Sequence, residues 1–345
     1  MREPFEIGGE RVAASTRRTV DLPVSVLSDH TPVTMSAHVI HGRKPGPVMF
    51  VSAAIHGDEV IGVEIVRRLL RAAPLSRLSG TLIAVPIVNT FGFLNQSRYL
   101  PDRRDLNRVF PGVAHGSLAA RLADLFMTEV VRRCHVGIDL HSAAVGRENL
   151  PQIRLTPGTA RLRELGEAFG APVTLMSKTR DGSLRQEAEK AGVDVLLYEA
   201  GEGLRFDEFA ARAGVSGILR VMERLGMIAH RGVPKRRGAP VLCEKSGWAR
   251  APSGGLLRTL KASGEWVEAG TVLGLISDPF GEREAEVTAE EDGIVIGRTN
   301  LPVVNEGDAL FHIAAPKTEA MAEAAAEGFD AHLEGAPLFD EDEII

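Results

Sequence analysis

Residues 48–88 read VMFVSAAIHGDEVIGVEIVRRLLRAAPLSRLSGTLIAVPIV, and the reading of this stretch decides the fold class. The apolar run over 48–55 has the length of a buried strand. After it, Ile61, Ile65, Val66, Leu69 and Leu70 fall on one face at helical spacing. A second strand-like run over 81–88 completes a βαβ unit, whose strands are parallel because the crossover between them is a helix. The alternation continues outward. A helix starts with Ser117 as N-cap and buries Leu118, Leu122, Leu125 and Phe126, leading into a strand over 135–141. Helices over 159–169, 184–191 and 206–225 then alternate with strands over 171–176 and 193–199. This order implies an α/β layer fold with a mixed, mostly parallel sheet flanked by helices.

The opening forty-odd residues read as antiparallel strands at one edge (residues 1–47), with a turn over 42–46, Gly-Arg-Lys-Pro-Gly. Composition shifts over 231–240, where Gly, Pro and four basic residues form a linker. We therefore expect a first domain over 1–235 and a smaller all-β domain over 241–315. Within the second, Ser253-Gly254-Gly255-Leu256-Leu257 running on to Gly270-Thr271-Val272-Leu273-Gly274 is echoed by Glu291-Asp292-Gly293-Ile294-Val295 running on to Gly307-Asp308-Ala309-Leu310. Two such halves make a small barrel or sandwich, and the arrangement resembles the biotinyl/lipoyl carrier fold. Carriers present a lysine at a hairpin tip between the halves. Residues 277–290 contain none, so a working carrier is not expected. An acidic, helical or disordered tail is expected over 316–345.

With 345 residues and 44% hydrophobic content, the chain can bury a large core. A net charge of -6 argues against a nucleic-acid partner, which needs a basic surface. Two cysteines, Cys134 and Cys243, are too few for a disulfide framework or a cysteine metal site. The first residues lack the apolar core of a signal peptide, and no run approaches the roughly 18 apolar residues of a membrane span. The expectation is a cytoplasmic protein with no membrane partner, and a homo-oligomer is left open.

The chemistry lies where the strands end. In an open parallel sheet the carboxyl ends of the strands line one rim, and ligands bind there. His56 and Glu59 follow the first strand, His141 ends the strand over 135–141, and Glu199 ends the strand over 193–199. Two histidines and one carboxylate with a fourth position open to water is the donor set of catalytic zinc. Asp139 alternates with His141 along its strand, so it either orients a ligand imidazole or accepts N–H bonds in the core. The long loop NTFGFLNQSRYLPDRRDLNRVFPG over 89–112 carries four aromatic residues and little periodicity, which argues for function over disorder. Within it, Asn107 and Arg108 can clamp a carboxylate through parallel hydrogen bonds.

Taken in order, His56-Gly57-Asp58-Glu59, Asp105-Leu106-Asn107-Arg108 with Phe110-Pro111-Gly112, Asp139-Leu140-His141-Ser142 and Glu199-Ala200-Gly201 resemble the aspartoacylase/succinylglutamate desuccinylase family, related to zinc carboxypeptidases. The match spans residues 48–225. The resemblance implies a zinc-carboxypeptidase-like sheet and one Zn2+ per chain on His56, Glu59 and His141. It further implies Glu199 as the catalytic carboxylate and Asn107 and Arg108 as the substrate clamp. Arg98 of the Arg98-Tyr99 pair matches the family's carbonyl-polarising arginine, with Arg103 and Arg104 as alternatives in the same loop. Arg185 is either a further anion contact or an exposed helix arginine. The implied reaction hydrolyses the amide of a small N-acyl amino acid or related acylated amine, through a zinc-activated water with Glu199 as general base and then acid. Two other readings stand beside it. A zinc carboxypeptidase acting on peptides would use the same residues, and a non-catalytic binding module would carry a vestigial metal site.

Overall fold

The structure, a computed structural model, describes residues 2–236 and 238–316. The tail expected over 316–345 lies outside the described residues beyond Pro316.

Phe5–Ile7 (β1) and Glu10–Val12 (β2) form a small hairpin. Thr16–Val26 (β3) and Pro32–His41 (β4) are the antiparallel edge of the main sheet. Lys44–Ala53 (β5), Ile61–Leu69 (α1) and Ser79–Val85 (β6) are the βαβ unit, with β5 and β6 parallel. β5 begins earlier than its apolar run because its first residues, though exposed, still pair with β6 across a register irregularity between Lys44 and Val48. Thr90–Leu94 (α2) and Leu118–Glu129 (α3) precede Val136–His141 (β7). Arg147–Leu155 (β8) follows, and the sequence pattern does not reveal it. Then come Ala160–Phe169 (α4), Val173–Met176 (β9), Leu184–Lys190 (α5), Asp194–Gly201 (β10) and Glu208–Arg224 (α6). The side chains of Ser117, Thr159, Ser183 and Asp207 each accept a backbone N–H in the first turn of the helix they precede, which sets where α3, α4, α5 and α6 begin.

Eight further strands complete the described chain: Val241–Arg250 (β11), Gly255–Thr259 (β12), Trp266–Val267 (β13), Val272–Ser277 (β14), Glu284–Thr288 (β15), Gly293–Thr299 (β16), Val303–Val304 (β17) and Ala309–Pro316 (β18). The main sheet has twelve strands in the order β13-β16-β18-β11-β9-β8-β10-β7-β5-β6-β4-β3, and β16 also pairs back onto β8. That extra pairing closes β8, β9, β11, β18 and β16 into a ring. Its strands jointly bury Leu150, Val173, Leu175, Val241, Cys243, Ile294, Ile296 and Ala314. A separate four-stranded sheet, β15-β14-β12-β17, packs on a core of its own with Leu257, Leu273, Ile276 and Phe311.

The open part of the sheet is buried on both faces. Along β5, Met49, Val51 and Ala53 share a core with residues of α1, α4 and α6, while Phe50 points the other way into a core with residues of α3 and α5. Burial on both faces is why this strand reads as a continuous apolar run. Among the described residues, no helix is long and apolar enough to cross a membrane.

Candidate metal centre

β5, β7 and β10 are adjacent and parallel, so their carboxyl ends reach the rim together. Ala53 pairs with Leu140, and Glu199 is the register partner of His141. Neighbouring strands lie about 4.8 Å apart, which sets the Glu199 side chain beside the His141 imidazole. His56 comes back to the rim because the chain turns sharply after β5. Ala54 takes a left-handed backbone (φ 51°), and its carbonyl accepts from Asn89 N–H. Gly57 is needed for space and not for a positive φ. A Cβ there would lie 1.9 Å from the Gly92 carbonyl carbon, where the 89–112 loop crosses.

Among the described residues, His56, Glu59 and His141 gather three ligand atoms within 4.8 Å of one another, all buried. Both imidazoles turn Nδ1 toward Glu59: His56 Nδ1 is 2.6 Å from Oε1, and His141 Nδ1 is 2.6 Å from Oε2. Their far nitrogens are held by carboxylates, His56 Nε2 by Asp105 at 3.0 Å and His141 Nε2 by Asp139 at 2.7 Å. Asp139 also accepts from Ser52 Oγ at 2.7 Å, so it is an orienting carboxylate in the core. An imidazole anchored on one nitrogen by a carboxylate presents the other as a fixed, more basic donor, the usual surrounding of a metal-binding histidine.

The charges balance in the same sense. Burial disfavours the charged form of every group here. For His56, Glu59 and Asp105 outweigh that burial and raise the imidazole above its ordinary value, and Asp139 and Glu59 raise His141 well above its own. Against burial, the imidazoles hold Glu59 far below the usual carboxylate range, and His56 with Arg98 does the same for Asp105. A divalent cation would take the place of the protons. In metal-depleted protein the raised histidines contribute stability fully present below about pH 6.5, their unfolded value, and lost as pH rises through their folded values. The depressed Glu59 and Asp105 contribute stability present above about pH 4 and lost as pH falls through their folded values. Chelator-treated protein is therefore expected to melt highest in mildly acidic buffer and progressively lower above about pH 7, by calorimetry. Added zinc should abolish the alkaline decline. An apo melting temperature that stays flat from neutral to alkaline pH would contradict this coupling.

The triad opens on a cavity of about 500 Å3 whose wall includes Arg98, Asn107, Arg108, Arg185 and Glu199. Arg98 donates to Asp105 from Nε and Nη2 and to Glu59 from Nη1 at 3.3 Å. Arg103 is exposed and Arg104 pairs with Asp102, and neither lines the cavity. Asn107 accepts from Leu184 N–H at 2.9 Å, tying the loop to the start of α5 and leaving its NH2 for a ligand. Arg185 donates from Nη2 to Ser177 and to the Lys178 carbonyl, while its Nη1 is buried without a partner. Burial, then the charge of Arg154, pushes Arg185 down to about 10. Glu199 is 15% exposed and not isolated: Asn149 Nδ2 donates to Oε2 at 2.9 Å, and Arg154 Nη1 stands 3.6 Å from Oε1.

Several residues of the site carry no role in the sequence pattern. Asp105, which holds His56, is one, although a carboxylate next to an Asn-Arg pair is a signal. Asn149 and Arg154 sit on β8, whose pattern Pro151 interrupts. Ser246, Trp248 and His312 arrive from β11 and β18. His312 stacks on Trp248 at 4.5 Å between centroids, Arg147 lies over the Trp248 ring, and Ser246 Oγ lies 2.9 Å from His312 Nε2. Burial and the Arg154 charge press His312 down to about 3, so it is neutral. Nothing in the sequence connects these residues to the rim.

Residues 45–225 match the succinylglutamate desuccinylase/aspartoacylase catalytic domain. The chain belongs to this family. It is also 27% identical over 305 residues to the N-alpha-acetyl-L-2,4-diaminobutyric acid deacetylase of Halomonas elongata, covering 85% of this chain and 89% of that protein. Two solved structures share the fold. One is a succinylglutamate desuccinylase/aspartoacylase from Rhodobacter sphaeroides (TM-score 0.77, 24% identity, 87% of this chain and 96% of that one). The other is the product-bound ectoine utilization protein EutE (DoeB) from Ruegeria pomeroyi (TM-score 0.78, 22% identity, 87% and 95%). As a succinylglutamate desuccinylase/aspartoacylase family member with its His/Glu/His cluster assembled, the chain is a metal-dependent hydrolase that deacylates small acylated substrates.

Proposed function

We propose that the chain is a Zn2+-dependent deacylase for a small N-acyl amino acid, with one ion on His56, Glu59 and His141. Two imidazole nitrogens and a carboxylate oxygen, with room for a fourth ligand, suit catalytic zinc better than harder cations. When bound, the ion supplies Lewis acidity to the scissile carbonyl and to the attacking water. Glu199 accepts the water's proton and returns it to the leaving amine. Arg98 stabilises the negative charge that develops on the carbonyl oxygen. The free NH2 of Asn107, Arg108 and the unpaired Nη1 of Arg185 hold the substrate carboxylate.

The observation that carries this reading is the single cavity in which the triad, Glu199 and these cations meet. Arg147, Arg154, Lys178 and Arg180 also line it. In such a field a substrate with negative charge is favoured over one with a free ammonium. The name of the Halomonas relative puts N-alpha-acetyl-L-2,4-diaminobutyric acid on the list to test all the same. We also read residues 1–235 and 241–315 as two domains, the second built on the biotinyl/lipoyl carrier plan and serving as a cavity wall. Its Ser246, Trp248 and His312 restrict the cavity to small substrates.

The test is zinc-loaded protein assayed for free amine against N-acetyl and N-succinyl amino acids, the acetylated diamino acid and C-terminal peptides. Hydrolysis of acyl amino acids is expected, with carboxamide analogues about 100-fold slower because the clamp loses its anion. Cleavage of peptides alone, or no turnover with zinc bound, would overturn the proposal.

A further inference from the structure

β8 changes partners halfway along. Residues 152–155 pair with β9, whereas Arg147, Glu148 and Asn149 pair with Thr299, Arg298 and Gly297 of β16. On its other side β8 runs beside β10, and there the register slips between Glu199 and Gly201. The extra residue is on β8, at Leu150 and Pro151, where proline has no N–H to give a ladder. Glu199 thus sits at the last regular pair before the bulge, and what its carboxylate bonds to on this side is a β8 side chain. Asn149 is that side chain, donating to Oε2 at 2.9 Å. The 3.6 Å approach of Arg154 to Oε1 is too long for a hydrogen bond.

Asn149 is in turn confined by the strand opposite. A Cβ on Gly297 would come within 2.6 Å of Asn149 Oδ1 and 3.0 Å of the Glu148 carbonyl oxygen. The β16 segment is also anchored around this point by Gln152 donating to the Ile296 carbonyl at 3.0 Å and by Arg298 donating to Glu148 at 2.7 Å. A side chain at position 297 would push the Asn149 amide away from Glu199 as β16 closes the ring.

We infer that Asn149 is a positioning residue for the general base and that Gly297, from the C-terminal strands, keeps it in place. By engaging Oε2, Asn149 leaves Oε1 as the oxygen that accepts the proton. The C-terminal strands thus act on the reaction through the aim of Glu199, besides walling the cavity. This rests on the proposed role of Glu199.

The test compares Asn149→Ala, Gly297→Ala and the double variant in the full-length, zinc-loaded enzyme, with melting temperature, zinc content, KM and kcat measured for each. Each single variant is expected to lower kcat by about 10- to 100-fold with KM and zinc content near wild type, because the base is misaimed and binding is not. The double variant should be no slower than Asn149→Ala alone, since both changes break one linkage. A merely structural role for Gly297 would multiply the two losses and lower the melting temperature, and that result overturns the relay. An Asn149→Ala enzyme with unchanged kcat overturns it too, and this variant decides alone if Gly297→Ala does not fold. Glu199→Gln separates the two levels. If it is inactive while Asn149→Ala is unaffected, only the relay fails, whereas an active Glu199→Gln enzyme defeats the reading beneath it.

Discussion

Glu199→Gln is expected to keep zinc bound and to lower kcat by about 10²- to 10⁴-fold, the range general acid–base catalysis contributes. Glutamine has the same shape, and its amide oxygen can still accept from Asn149 Nδ2. What it lacks is a site that takes up a proton. Because Glu199 lies next to His141 in register, any collapse of the rim would appear at once as lost metal. Equal zinc content and an unchanged melting temperature therefore isolate the chemical step. KM should move little, since the residues proposed to clamp the substrate carboxylate stand on the 89–112 loop and α5. A Glu199→Gln enzyme retaining most of its turnover would remove Glu199 from the mechanism.

His141→Ala is expected to abolish stoichiometric zinc binding and with it all measurable activity. The side chain is buried and bonded at both nitrogens, to Glu59 and to Asp139. Its removal leaves two buried carboxylates without their shared counter-group, so the variant should also be destabilised, as broken buried pairs are. Asp139→Asn is the milder control. It keeps the shape but loses the charge that orients the imidazole, and such outer contacts typically change metal affinity or activity about 10- to 100-fold. Zinc measured by elemental analysis after dialysis, with affinity from chelator competition, should rank wild type above Asp139→Asn and that above His141→Ala. Wild-type zinc content in His141→Ala would mean that the ion sits elsewhere.

Much of the fold was legible where local chemistry and burial agree. The strand over 48–55, the helical stripe from Ile61 to Leu70, the cap Ser117 and the helix over 159–169 all appear within a few residues of where the pattern puts them. Strands buried on both faces make dense apolar runs, and helices packed on one face make stripes, so each leaves a local trace. β8 left none. It opens with Arg147, Glu148 and Asn149, carries Pro151 at a bulge and takes its partners from three different strands. The linker over 231–240 was visible, yet the strands beyond it do not form only a sheet of their own. β11 continues the main sheet beside β9, and β16 closes the ring onto β8.

The same division runs through the site. Residue type and position at strand ends singled out His56, Glu59, His141 and Glu199, because a parallel sheet sends the carboxyl ends of its strands to one rim whatever their separation in sequence. The chain alone therefore determined the donor set and the chemistry it can support. Tertiary structure decided how each donor is held: Asp105 on His56, Asp139 on His141, Asn149 on Glu199, and a wall of Trp248 and His312 from the later strands β11 and β18. Such contacts depend on which strands become neighbours and in what register, and pairing between distant segments leaves no periodic mark in either one.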